Sequence, residues 1–196
     1  QTKKSTKIKF ITIRDPFNYY FSLWSYGLER KGGVYYNLLR ENFVLCENIY
    51  KDKTKKNFEL FLAYVLNSPI IKSNNWLPKD LDIYSQRIMN MIVPKEQTNL
   101  FSRKSSKDQI KTLVKEHFIP EIIIKTEKLN ADFHELADSG DLKFLNLPKS
   151  WKVYFPLEEQ KDNASKLSST GFIKEKFKKE FGNFINNESY VANLLI

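Results

Sequence analysis

One stretch constrains the fold more than any other: Lys7-Ile8-Lys9-Phe10-Ile11-Thr12-Ile13-Arg14-Asp15-Pro16-Phe17-Asn18-Tyr19-Tyr20-Phe21-Ser22-Leu23-Trp24-Ser25-Tyr26. It reads as a β-strand running straight into a helix. Ile11 and Ile13 in one phase, with Ile8 and Phe10 in the other, describe a strand apolar on both faces, as expected of a buried parallel sheet. Asp15 is an N-cap residue. Pro16 suits the first helical position, because the N–H it lacks is one the helix would leave unbonded. Arg14 is thereby left at the carboxyl end of the strand, where open α/β sheets place their ligands. A guanidinium, a helix N-terminus and the Ser22 hydroxyl together suit an oxyanion, since they offer planar donors and partial positive charge. The competing reading is a surface Arg-Asp pair and a serine that merely sits in a helix.

A chain of 196 residues is long enough for a single domain, 1–196, with a sizeable core. Thirty-two Lys and Arg against 23 Asp and Glu give a net charge of +9, which favours anionic partners. Part of that charge, such as the block from Lys51 to Lys56, reads as solvated loop. The single cysteine, Cys46, excludes an intrachain disulfide and any multi-cysteine metal site, so no metal is expected. It also favours a reducing compartment, the cytoplasm. No apolar run is long enough to span a bilayer, no signal peptide opens the chain, and no membrane anchor is visible.

Beyond Tyr26 the helix is expected to end near Glu29-Arg30-Lys31-Gly32-Gly33, with the glycine pair as a flexible joint. Residues 34–50 show no clean period and read as a loop or short helices beside a cleft. Apolar residues at helical spacing predict helices over 57–66, 80–91 and 108–117. Residues 97–107 read as a polar loop carrying Arg103, Lys104 and Lys107. A second strand is predicted over 121–127, β-branched and bounded by Pro120. It delivers Thr126 and Glu127 into a helix over 131–137 capped by Asn130. Residues 140–156, with Trp151, Tyr154 and Phe155, form a long connection, and 172–196 make one or two C-terminal helices.

Arg14, Ser22, the second strand and the segment Asn163-Ala164-Ser165-Lys166 follow in an order that resembles the sulfotransferase superfamily, and within it the carbohydrate-type branch. That family's 3′-phosphate motif is an Arg-Asp/Asn-Pro turn, usually a basic residue three positions after the proline, then a serine eight positions after the arginine and an aromatic. Arg14-Asp15-Pro16, Ser22 and Trp24 match it, while Tyr19 stands where a second arginine is usual. Ile124-Lys125-Thr126-Glu127-Lys128-Leu129-Asn130-Ala131-Asp132-Phe133 is similar to the family's strand, Glu-x-Leu turn and helix.

The resemblance implies an α/β, P-loop-like sulfotransferase fold, with a central, mostly parallel sheet flanked by helices. It implies 3′-phosphoadenosine 5′-phosphosulfate (PAPS) as donor and a carbohydrate hydroxyl as acceptor. Arg14, Ser22, Asn163, Ser165 and Lys166 are the nucleotide-binding residues it implies, with neither a metal nor a nucleic acid as partner. The family's upstream Lys-x-Gly-Ser/Thr phosphate loop has no counterpart, since Lys3-Lys4-Ser5-Thr6 lacks the glycine. The expectation is therefore the C-terminal portion of such a domain, with its N-terminal part missing.

Transfer to a hydroxyl needs a base for its proton. His117, His134, Glu29 and Glu127 are the candidates, and spacing sets none of them beside Arg14, so the catalytic residues stay unassigned; for Glu127 a turn-capping role is the simpler reading. The alternative function is a non-catalytic basic module gripping nucleic acid or an acidic glycan. Net charge and 14% aromatic residues allow it, but no recognition signature supports it. A nucleotide kinase would need a Gly-rich Lys-Ser/Thr loop, which the sequence lacks.

Overall fold

The computed structural model describes residues 10–67, 76–77, 81–143, 147–150, 152 and 168–196, with side chains in the last segment from residue 173. Strand β1 (Phe10–Ile13) leads into α1 (Pro16–Leu28). Helices α2 (Gly33–Glu41), α3 (Phe43–Tyr50), α4 (Lys55–Asn67), α5 (Ile83–Ile92) and α6 (Lys107–His117) follow before strand β2 (Ile122–Lys125). After β2 come α7 (Leu129–Ser139), α8 (Ser168–Glu188) and α9 (Tyr190–Leu195).

Among the described residues the protein is mostly helical, and its sheet is one parallel pair, with Ile11 in register with Ile123 and Ile13 with Lys125. The parallel strand-and-helix connectivity agrees with an α/β reading. A larger central sheet is not what these residues form.

Successive residues of a strand face opposite sides, and here the two sides meet different cores. Ile11 and Ile13 join the large core, with Ile123 packed against it, whereas Ile122 and Ile124 join a small one with Phe133 and Leu142. Phe10 is 46% exposed, and Thr12 is exposed as well. The expected strand buried on both faces is thus corrected. On the small-core side α7 packs on β2, and among the described residues the outward positions of β1 are left open.

Helix α1 is apolar on most of its circumference, and the fold surrounds it with α2, α3, α4 and α8. Phe17, Phe21 and Trp24 recur at helical spacing and meet Phe58 of α4. Phe177 of α8 closes the cluster, its ring stacked on Phe58 with centres 5.2 Å apart. Fully burying a side chain of this kind contributes about 1.5–3 kcal/mol, and Phe17, Trp24 and Phe58 are all buried. Gly27 sets the approach of α1 to α3: a Cβ there would lie 2.1 Å from Cε1 of Tyr50, too close for a packed core to absorb.

Residues 34–50 form α2 and α3, the short-helix alternative of the two readings. Other boundaries differ from expectation. The glycine pair is no free joint, because Gly32 caps α2 at φ 91° and Gly33 begins it. Arg30 takes the left-handed conformation at φ 58°, held by two hydrogen bonds of 3.2 Å to Glu47. Asn130 lies inside α7, which Lys128 precedes as the cap residue. No described helix is long and apolar enough to cross a membrane.

Candidate functional site

Asp15 and Pro16 start α1 as their chemistry requires. The Asp15 carboxylate accepts the Asn18 N–H at 2.9 Å, and Pro16 opens the first turn. Arg14 is held through its backbone by a residue of α5. The Tyr84 hydroxyl accepts the Arg14 N–H at 2.7 Å and donates to the Arg14 carbonyl at 2.8 Å. One hydroxyl therefore satisfies both main-chain groups at the point where strand pairing stops. The Thr126 hydroxyl, just past β2, donates to the Ile13 carbonyl at 3.0 Å. The strand end is fixed on two sides, while the Arg14 side chain stays 37% exposed.

Glu127 takes the position of an anion at this helix start. Its Oε1 accepts the Asp15 N–H at 3.1 Å and the Asn18 side-chain amide at 3.2 Å, and lies 3.6 Å from Arg14 Nε. Glu127 does cap a helix, but the helix is α1, 112 positions away in sequence, and not its own turn. Both partners of this ion pair are more than a third exposed, so water screens it to at most about 1 kcal/mol. Ser22 lies one turn beyond Asn18 on the same face of α1 and is half-buried.

A second carboxylate stands behind the junction. Asp82 caps α5, accepting the N–H groups of Tyr84 and Ser85 at 3.0 and 3.1 Å. The same oxygen accepts the hydroxyls of Tyr20 and, at 3.3 Å, Ser189. Burial pushes the Asp82 carboxyl above its ordinary range, and hydrogen bonds from Ser85 and Tyr20 pull part of the way back. Burial also pushes the Tyr84 hydroxyl up to about 12, so it stays neutral and keeps the proton it donates to Arg14.

Tyr19 joins these two levels. Its ring stacks on Tyr84 at 3.9 Å with planes 14° apart, and the Arg87 guanidinium lies 5.7 Å from its centre. Arg87 reaches this ring of α1 from across on α5. Tyr84 and Arg87 stand one turn apart on that helix, and this spacing is the only trace of the pair in the sequence.

Of the five nucleotide-binding candidates, Arg14 and Ser22 belong to this junction. Asn163, Ser165 and Lys166 lie outside the described residues, as do Lys3 to Thr6, Trp151, Tyr154 and Phe155. Of the base candidates, Glu127 lies at the junction beside Arg14, and the other three lie elsewhere. Glu29 pairs with Lys31 at 3.1 Å at the far end of α1, about 20 Å from Arg14 by the rise of a helix of that length. His117 is exposed beside Glu116 at 3.6 Å, and His134 is buried in α7. Lys107, part of the basic run, pairs with Glu188 at 3.3 Å and lies over the Tyr190 ring, so it braces α6 against the end of the chain. Ser102, Ser105, Asp108 and Thr112 help line an open surface cleft of about 520 Å³ nearby.

Among the described residues no group of His, Cys, Asp and Glu could hold a metal ion. Comparisons with protein-family models, with curated proteins and with solved structures return no match.

Proposed function

We propose that the β1–α1 junction binds the 3′-phosphate of a nucleotide, and that the protein is a PAPS-dependent sulfotransferase on a P-loop-like fold acting on a carbohydrate hydroxyl. The observation that carries this reading is Arg14. It sits at the carboxyl end of a parallel strand, one residue before the cap of α1, with its backbone bound on both sides by Tyr84 and its side chain 37% exposed. A guanidinium fork matches phosphate oxygens, and a backbone fixed in advance lowers the entropic cost of binding. Ser22, on the same helix as the cap, adds a hydroxyl donor.

The order of β2, Glu127 and α7 supports the same reading. When bound, PAPS supplies an activated sulfuryl group. Arg14 and Ser22 act at the nucleotide end, where they hold the donor so that its reacting centre is aimed. The setting in this reading is the cytoplasm, which suits a lone Cys46 that is buried and whose thiol burial pushes up.

Calorimetric titration with adenosine 3′,5′-bisphosphate and with adenosine 5′-phosphate tests the proposal. The bisphosphate is expected to bind far more tightly, and Arg14→Ala to weaken it roughly ten- to a hundredfold, the value of a charged hydrogen-bonded contact. Ser22→Ala is expected to weaken it less. Equal indifference to both ligands overturns the reading. Binding to generic polyanions with a steep salt dependence would favour the non-catalytic basic module instead.

A further inference from the structure

The open cleft beside α6 is built from three pieces of chain. Leu100 ends the short 3-10 helix Lys95–Leu100, a turn closed by the Ser105 N–H and the Ser102 carbonyl at 3.0 Å follows, and α6 contributes Asp108, Gln109, Thr112 and Leu113 from one face. Its volume of about 520 Å³ falls within the range of roughly 300–1,000 Å³ common to small-molecule sites. None of the residues at the Arg14 junction lines it. The capping box of α6 is closed: Ser106 accepts the Gln109 N–H at 3.2 Å, and the Gln109 side chain accepts the Ser106 N–H at 2.8 Å. What the cleft offers a ligand is therefore side chains with hydrogen bonds still to make.

The Oγ atoms of Ser102 and Ser105 lie 3.3 Å apart, and they accept the Lys104 and Ser102 N–H groups at 3.2 and 3.0 Å. Two hydroxyls carry two hydrogens and can spend only one on each other, so one O–H is left without a partner among the described residues. Gln109 spends its side-chain carbonyl on Ser106 and keeps both amide hydrogens. The Thr112 hydroxyl has no hydrogen-bond partner among the described residues. Asp108 is 94% exposed, and its only ion pair among them is a long one, 3.9 Å to Lys111. Leu100, 48% exposed, and Leu113 add an apolar strip.

We propose that this cleft is a binding site for a neutral saccharide. The Asp108 carboxylate accepts two neighbouring sugar hydroxyls, the Gln109 amide, Thr112 and the serine pair meet others, and Leu100 and Leu113 cover C–H groups of the ring. A sugar is the ligand class that matches this mixture, because each of its hydroxyls both donates and accepts while its carbons stay apolar. An anion is disfavoured, since no basic side chain lines the cleft and one carboxylate does. A lipid or an apolar peptide would find only two leucines to cover. The long pair between Asp108 and Lys111 is exposed and weak, so a ligand displaces it at little cost. The site stands whether or not Arg14 holds a nucleotide, because the two share no residue.

Amide chemical-shift mapping by NMR on the isotope-labelled 196-residue chain tests the proposal, with maltose, lactose, mannobiose and diacetylchitobiose as neutral probes and sodium sulfate as an anion. At least one disaccharide is expected to shift amides within 100–113, with a Kd of roughly millimolar order for so open a site. Asp108→Asn is expected to weaken that disaccharide roughly tenfold, and Thr112→Val less. Asp52→Asn, which removes an exposed aspartate before α4, is expected to leave the affinity unchanged and controls for net charge. If Asp108→Asn lowers the melting temperature, Thr112→Val carries the comparison. The proposal is overturned by no shift with any of the four sugars, by shifts confined to other surfaces, or by sulfate alone shifting 100–113. Wild-type affinity in Asp108→Asn overturns it as well, and so do equal losses in Asp108→Asn and Asp52→Asn. No nucleotide enters these measurements, so each of those results leaves the reading of Arg14 where it stood.

Discussion

Besides its own cap Asp15, two carboxylates from distant parts of the chain hold the start of α1, and they do so in opposite surroundings. Asp82 is buried and gathers four donors on one oxygen, from Tyr20, Tyr84, Ser85 and Ser189. Glu127 is more than a third exposed, takes the Asp15 N–H and the Asn18 amide, and lies beside Arg14. The donors on Asp82 have no water to turn to, so the acid is part of the framework that joins α1, α5 and the start of α9. Glu127 itself faces solvent, although of its donors Asn18 is buried and Asp15 half-buried. A buried acid builds the junction, and an exposed one occupies it in a way a ligand can contest.

The contrast is sharpest in stability. Asp82→Ala is expected to cost about 3 kcal/mol or more in urea denaturation, because it leaves buried donors unsatisfied; a loss near that of a surface substitution would break the contrast. Asp82→Asn tests the charge alone. The folded state raises the pKa of Asp82 above its ordinary 3.8, so this group's contribution is fully present below that value and is lost as pH rises through the folded value. Wild-type stability is therefore expected to fall relative to Asp82→Asn as pH climbs from the acid side toward neutrality. A pH-independent offset between the two urea midpoints would contradict this.

Tyr84→Phe keeps the ring on Tyr19 but removes the hydroxyl from the Arg14 peptide. It is expected to cost about 1 kcal/mol in the same assay and to weaken bisphosphate binding severalfold, by releasing the strand end that aims Arg14. The smallest stability effect belongs to Glu127→Gln, within about 0.5 kcal/mol. Its affinity for the bisphosphate is expected to rise, since one negative charge leaves the site. A Glu127→Gln variant as unstable as Asp82→Ala would erase the distinction between the two acids.

The start of α1 was legible in the sequence because capping is local: Asp15 meets Asn18 three positions on. Helices α4, α5 and α6 were legible for a related reason, as one-sided apolar spacing marks a packed face. Residues 34–50 were legible only as loop or short helices, because α2 and α3 bury only three residues each, too few for a period to decide between the two. The exposed face of β1 was misread because Phe10 is apolar yet faces outward. The site beyond Arg14 and Ser22 left no local mark. Tyr84 and Glu127 lie 70 and 112 positions from the groups they bond, and Arg87 has the sequence signature of any arginine on a helix surface.

A crystal structure of the chain with adenosine 3′,5′-bisphosphate bound tests the central claim most directly. The account expects the 3′-phosphate oxygens within hydrogen-bond distance of the Arg14 and Ser22 side chains. A nucleotide seated on another surface, with Arg14 still paired to Glu127, would contradict it.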